Sequence, residues 1–143
     1  MFINYAVERG NRMIKIEIPG EPVPAARPRF GNGRAYQPKR NAEYRKHIQE
    51  AARAAMGGKP PLDGELSAVI KLYRKYKPAT RAFGDLDNHL KQIFDGLNLI
   101  AFEDDKQIVR CTVEKFQDKQ NPHAEITIAQ RATYDNQKES EHT

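Results

Sequence analysis

The chain has one cysteine and no tryptophan in 143 residues. A single thiol, Cys111, excludes an internal disulfide and any cysteine-based zinc cluster. Set in an apolar stretch, it reads as a small core residue. The histidines His47, His89, His123 and His142 show no metal-ligand spacing among themselves. No apolar run approaches the roughly 20 residues that a membrane helix needs. The opening "MFINYAVERGNRMIKIEIPG" lacks the basic, then apolar, then small pattern of a secretory signal, and there are no internal repeats. These absences point to a cytoplasmic protein with no membrane partner. Apolar residues make up 38% of the chain, enough for one modest core at this length.

What is present is charge. Lys and Arg number 24 against 19 Asp and Glu, for a net charge of +5 and a pI near 9.3. A basic balance favours an anionic partner, most often nucleic acid. The excess concentrates in "RPRFGNGRAYQPKRNAEYRK", residues 27–46, which holds a single acid, Glu43. Phe30, Tyr36 and Tyr44 interleave with Arg27, Arg29, Arg34, Lys39 and Arg40, and such rings stack well on exposed bases. A solvated loop and helix face is the plainer reading of the same block.

Periodicity outlines a small α/β (α+β) fold, a mixed sheet with two main helices. "MIKIEIPG" alternates as a strand ended by Pro19-Gly20. The Pro-, Gly- and Arg-rich residues 20–40 read as a loop or arm without elements of its own. A helix follows, with Asn41 as N-cap, an apolar stripe of Tyr44, Ile48, Ala51, Ala52 and Ala55, and Gly57-Gly58 as its stop. Leu66, Ala68, Ile70 and Leu72 alternate as a second strand. Leu86, Leu90, Ile93, Phe94 and Leu97 give a second helix one apolar face, ending near Asn98. "KQIVRCTVEKF" and "AEITIAQ" close the order β-α-β-α-β-β as one domain over 1–130. The polar tail 131–143 has the composition of a disordered segment.

Against this basic background, acid crowds into one stretch, "GDLDNHLKQIFDGLNLIAFEDDKQI". Alternate residues of an extended segment point the same way, so Asp85 and Asp87 converge while Leu86 faces the core. In the plain structural reading, Asp87 is a helix N-cap and Asp85 its solvated neighbour. Lys91 lies one helical turn after Asp87, where a cation is placed to meet charge developing on a phosphate. Glu103, Asp104 and Asp105 follow the helix and precede a strand that returns towards its start. Carboxylates forced together repel and take up protons more readily unless a cation joins them. All-oxygen ligands suit Mg²⁺ or Mn²⁺. Beside this cluster, His89 reads as a solvent-exposed helical histidine, and Asp95 as a residue that caps or bridges within its own helix.

The combined pattern resembles the RusA family of Holliday junction resolvases: D-L-D-N, a lysine three residues after the Asn, F-D-x-L, and a D-D pair before a strand. The arm "GEPVPAARPRFGNGRAYQPKRNAEYRKHI" resembles the same family's N-terminal region. The likeness runs from about Ile14 to Ile128. It implies a small homodimer that cuts four-way DNA junctions with Mg²⁺ (Mn²⁺ as a substitute), in recombination and repair. By the family's pattern the catalytic residues fall on Asp85, Asp87, Lys91 and Asp105. The three aspartates would be the metal ligands, with Asp104 the alternative to Asp105. The arginines that often precede the D-x-D are reduced here to Arg81, so DNA contact shifts towards Arg27, Arg29, Arg34, Lys39 and Arg40. Three alternatives share these features. One is a non-catalytic DNA-binding protein of the same fold. Another is a metal-dependent nuclease acting on other branched DNA, on RNA or on nucleotides. The third is an accessory protein whose metal only stabilises the fold.

Overall fold

A computed structural model of the chain describes residues 12–26 and 38–131, together with the backbone of 29–31 and 34–36. The expectations for the tail beyond Arg131, and for the side chains of Arg27, Arg29, Phe30, Arg34 and Tyr36, lie outside the described residues. Four strands form the main sheet: β1 (Met13–Pro19), β4 (Leu66–Arg74), β5 (Ile108–Gln117) and β6 (His123–Gln130). They lie in the order β1-β6-β4-β5. Helix α1 (Lys39–Met56) joins β1 to β4 by way of the arm, and α2 (Leu86–Leu97) joins β4 to β5. The expected α+β order of strands and helices is therefore present. β4 and β5 run parallel, with α2 in their crossover, while β6 is antiparallel to both β1 and β4. A parallel pair needs such a crossover because a tight turn cannot reverse the chain twice.

Alternation explains why the sheet has one wet and one dry face. Ile16 and Ile18 of β1, Leu66, Ala68, Ile70 and Leu72 of β4, and Ala124, Ile126 and Ile128 of β6 are buried with the helical stripes. Their alternates, among them Lys15, Glu17 and Glu125, are exposed. The stripe of α1 is Asn41, Tyr44, Ile48, Ala52 and Met56, close to expectation except that Ala55 is exposed. The helices pack closely at Gly96, where an added Cβ would come within 2.6 Å of Ile48 Cγ2.

Three expectations fail here for physical reasons. The arm is not without elements: 29–31 (β2) and 34–36 (β3) pair as a short antiparallel hairpin. The N-cap position of α1 is Pro38 rather than Asn41, and no side chain caps it. Asn41 is instead buried one turn inside, where its Nδ2 donates to Pro24 O at 2.5 Å. Cys111 is exposed because β5 is an edge strand that the helices cover poorly: Val109, Arg110, Cys111 and Thr112 are all exposed. Its apolar neighbours along the sequence concealed that position.

Candidate active site

The Asp85–Asp87 segment is delivered by a turn that the rest of the molecule grips. A short 3-10 turn, Arg81–Phe83, ends at Gly84, and α2 begins at Leu86. Gly84 adopts φ +96°, and a Cβ there would meet His89 Nε2 at 3.0 Å and Pro24 Cγ at 3.1 Å. Only glycine suits both the angle and the space. Asp85, not Asp87, occupies the N-cap position of α2; its backbone is extended and its side chain caps nothing. Asp87 lies in the first turn, where the positive end of the helix favours a carboxylate. Both carboxylates are exposed, and neither is committed to closing the helix.

The buried face of α2 is more polar than the apolar stripe suggests. It consists of His89, Gln92, Ile93, Gly96 and Leu97, whereas Leu86 is 36% exposed. His89, expected in solvent, is only 1% exposed. Its Nε2 donates to Phe83 O at 2.8 Å. Burial, followed by the nearby Arg74 and Lys115, outweighs that hydrogen bond and Asp85, and lowers the imidazole pKa to about 4. Gln92 Nε2 donates to Asn41 O at 2.9 Å, and Gln92 Oε1 accepts from Arg45 Nη2 at 2.7 Å. The arm joins this network directly, since Ala25 N–H donates to Asn88 O at 2.9 Å.

The second acidic turn is built differently. Asp104 caps the short 3-10 turn Asp105–Gln107, its Oδ1 accepting from Lys106 N–H at 2.9 Å. Gln107 completes the capping box: Oε1 accepts from Glu103 and Asp104 N–H, and Nε2 donates to Leu62 O and Gly64 O. Asp104 is thereby engaged as scaffold. Asp105 is half-buried. Desolvation, then Asp104, then the more distant Asp95 raise its carboxyl pKa, against the smaller pull of Lys106. Asp95 does not bridge within its helix as expected. It reaches across to α1, 3.6 Å from Arg45 Nη2.

The remaining candidates divide by exposure. Lys91 is exposed one turn after Asp87 and makes no ion pair among the described residues. Lys39, Arg40 and Arg81 are exposed, with Lys39 3.9 Å from Glu43. Tyr44 is 4% exposed and belongs to the core, so it offers no ring for base stacking. Among the described residues, no group of three or more His, Cys, Asp or Glu side chains gathers around one point suited to a metal ion. The donors present are nonetheless hard oxygens, and the raised proton affinity of Asp105 marks a carboxylate that a cation would relieve. Mg²⁺ is commonly held by only one or two carboxylates, with waters and substrate phosphates as its other ligands. The donor set thus fits such an ion in kind.

Sequence reasoning missed His89, Gln92, Asn41 and Arg74, the polar groups that fix this region. The signal for two of them was present: His89 and Gln92 fall on the same side of α2 as Ile93 and Gly96, where polar residues are retained only if bonded. Arg74 is 3% exposed at the end of β4, and its Nη1 donates to Phe83 O at 2.5 Å.

Comparison with known proteins agrees with this organisation. Residues 19–129 match the family model described as endodeoxyribonuclease RusA. An uncharacterized protein of Bacillus subtilis (strain 168), YqaN, is 28% identical over 140 residues, covering 80% of this chain and 94% of that protein. Among the described residues no helix is long and apolar enough to cross a membrane. The matched span includes both acidic turns, both helices, β4, β5 and all but the end of β6, though only the last residue of β1, and the chain belongs to the RusA family of endodeoxyribonucleases.

Proposed function

We propose that this endodeoxyribonuclease is a Mg²⁺-dependent, structure-selective enzyme that resolves Holliday junctions by paired nicks in recombination and repair. The observation that carries the reading is Asp105: a half-buried carboxylate whose proton affinity is raised by burial and then by Asp104 and Asp95, in the short turn just before β5. Asp85, Asp87 and Asp105 would hold the ion, and Asp104, committed to its cap, is the lesser choice. When bound, Mg²⁺ (or Mn²⁺) supplies a Lewis acid and a water acidified to serve as nucleophile. Lys91, without a carboxylate partner, meets the charge that develops on the scissile phosphate. The basic residues of the arm and of the start of α1, with Arg81, hold the flanking phosphates through salt-sensitive contacts. A homodimer would present two such sites to opposed strands, as the two-fold symmetry of a junction requires. The exposed Leu86 and Val109 are apolar surface that a second subunit would cover.

A cleavage assay on a four-way junction tests the reading, with Mg²⁺, a linear duplex as control, and products mapped on all strands. Symmetric paired nicks support it. Asp87→Asn should slow cleavage by on the order of 10³-fold while junction binding survives. Scattered nicks would indicate a general nuclease. Tight binding without nicks would indicate a binding protein, and an Asp87→Asn variant as active as wild type would refute the site.

A further inference from the structure

His89 stands where a helix of this kind has every reason to place a leucine. The position is 1% exposed, and a buried imidazole is costly unless its polar atoms are bonded. What it bonds is specific. Its side-chain Nε2–H donates to Phe83 O at 2.8 Å, and its backbone N–H donates to Asp85 O at 3.1 Å. These two carbonyls bracket the pair Gly84–Asp85. Phe83 O also accepts from Arg74 Nη1 at 2.5 Å, so both of its lone-pair directions are used. The Phe83 ring meets the imidazole edge-on, with centroids 5.7 Å apart and planes at 67°. Gly84 closes the arrangement, because a Cβ there would lie 3.0 Å from His89 Nε2.

Resting on the metal-dependent reading above, we propose that His89, assisted by Arg74, is a positioning residue for Asp85. By gripping the Phe83 carbonyl that leads into Gly84–Asp85, while its backbone makes the ordinary helical bond to Asp85 O, it fixes where the Asp85 carboxylate stands. The ring donates from Nε2 to a carbonyl oxygen, and so orders the turn. Arg74 from β4 and Lys115 from β5 already supply positive charge around the ring, and Asp85 is the acid that faces it. Groups that orient a metal ligand from behind typically change metal affinity or activity by about 10–100-fold.

The test compares His89→Leu, which removes the donor, with His89→Gln, which keeps an N–H donor at similar reach. The expected outcome for His89→Leu is about 10–100-fold slower junction cleavage and a matching rise in the Mg²⁺ needed for half-maximal rate, with junction Kd within about twofold of wild type. Calorimetric titration of the DNA-free protein with Mn²⁺ should show weaker binding for Leu and recovery for Gln. In wild type at pH 7.5, ¹⁵N shifts should place the His89 ring proton on Nε2. A Leu variant with wild-type rate and Mg²⁺ requirement overturns the proposal. So do Leu and Gln variants equally impaired at an unchanged Mg²⁺ requirement, which would mark a purely structural role. A proton on Nδ1 overturns it as well, and that measurement stands even if His89→Leu fails to fold. A wild-type protein that leaves junctions uncut refutes the function proposed above instead, and the ring tautomer and Mn²⁺ titration still decide the role of His89.

Discussion

The two acidic turns are held by opposite means. The Gly84–Asp87 turn is gripped from outside at the residues on either side of it: Arg74 from β4 and His89 from the next turn of α2 bond Phe83 O, and Ala25 from the arm bonds Asn88 O. The Glu103–Asp105 turn is mostly self-made, with Asp104 capping its own turn and Gln107 bonding back to it. Its one long reach is Gln107 Nε2 to Leu62 O and Gly64 O. The first turn is therefore tied to the core behind it. The second rests on a few exposed bonds, each of which contributes about 0.5–1.5 kcal/mol. The carboxylates of the proposed site are thus carried on two differently built supports.

Gly84→Ala should break the comparison most severely. It forces a positive φ on alanine and a 3.0 Å contact on His89, and it is expected to cost about 3 kcal/mol. Thermal unfolding should report a fall of about 10 °C, with cleavage lost in proportion. Acid comes next. The pKa of His89 is about 4 in the folded protein against 6.5 unfolded. Folding therefore favours the neutral ring, and its contribution is complete above pH 6.5 and disappears as pH falls towards 4. Denaturant titrations across that window should show a loss of no more than about 3 kcal/mol that His89→Gln abolishes. Gln107→Ala strikes the second turn and should cost about 1–2 kcal/mol, read as a smaller fall in Tm than at Gly84. The smallest effect has the opposite sign. The carboxyl pKa of Asp105 is raised above its unfolded value of 3.8, so its ionisation opposes folding at neutral pH. Asp105→Asn should raise Tm by about 1–3 °C and abolish any stabilisation by added Mg²⁺.

The same contrast explains what the sequence disclosed. Alternation in β4 and the stripe of α1 are local signals, and both elements follow them. The D-x-D, the lysine one turn on and the D-D pair were legible because their spacing is itself the motif. The environments of these residues were not legible, because distant groups create them. Nothing adjacent to His89 announces that Phe83 O lies within reach of its Nε2 or that Arg74 shares that acceptor. Asn41 has the composition of a cap, yet its amide is drawn to Pro24 O by the packing of the arm on α1. Cys111 lies in a stretch with Ile108, Val109 and Val113, but the order β1-β6-β4-β5 leaves its strand at the sheet edge. Sheet order is a tertiary fact with no counterpart in the local pattern.

That edge position has a practical side. The chain holds one thiol, and it is exposed on a strand registered along its whole length against β4. Its pKa is raised by partial burial, so its thiolate fraction rises as the solution is made more alkaline. A maleimide dye or spin label attached there would need no engineered cysteine and would ride on the sheet rather than on a loop. The protein thus carries a native address for watching a DNA branch arrive.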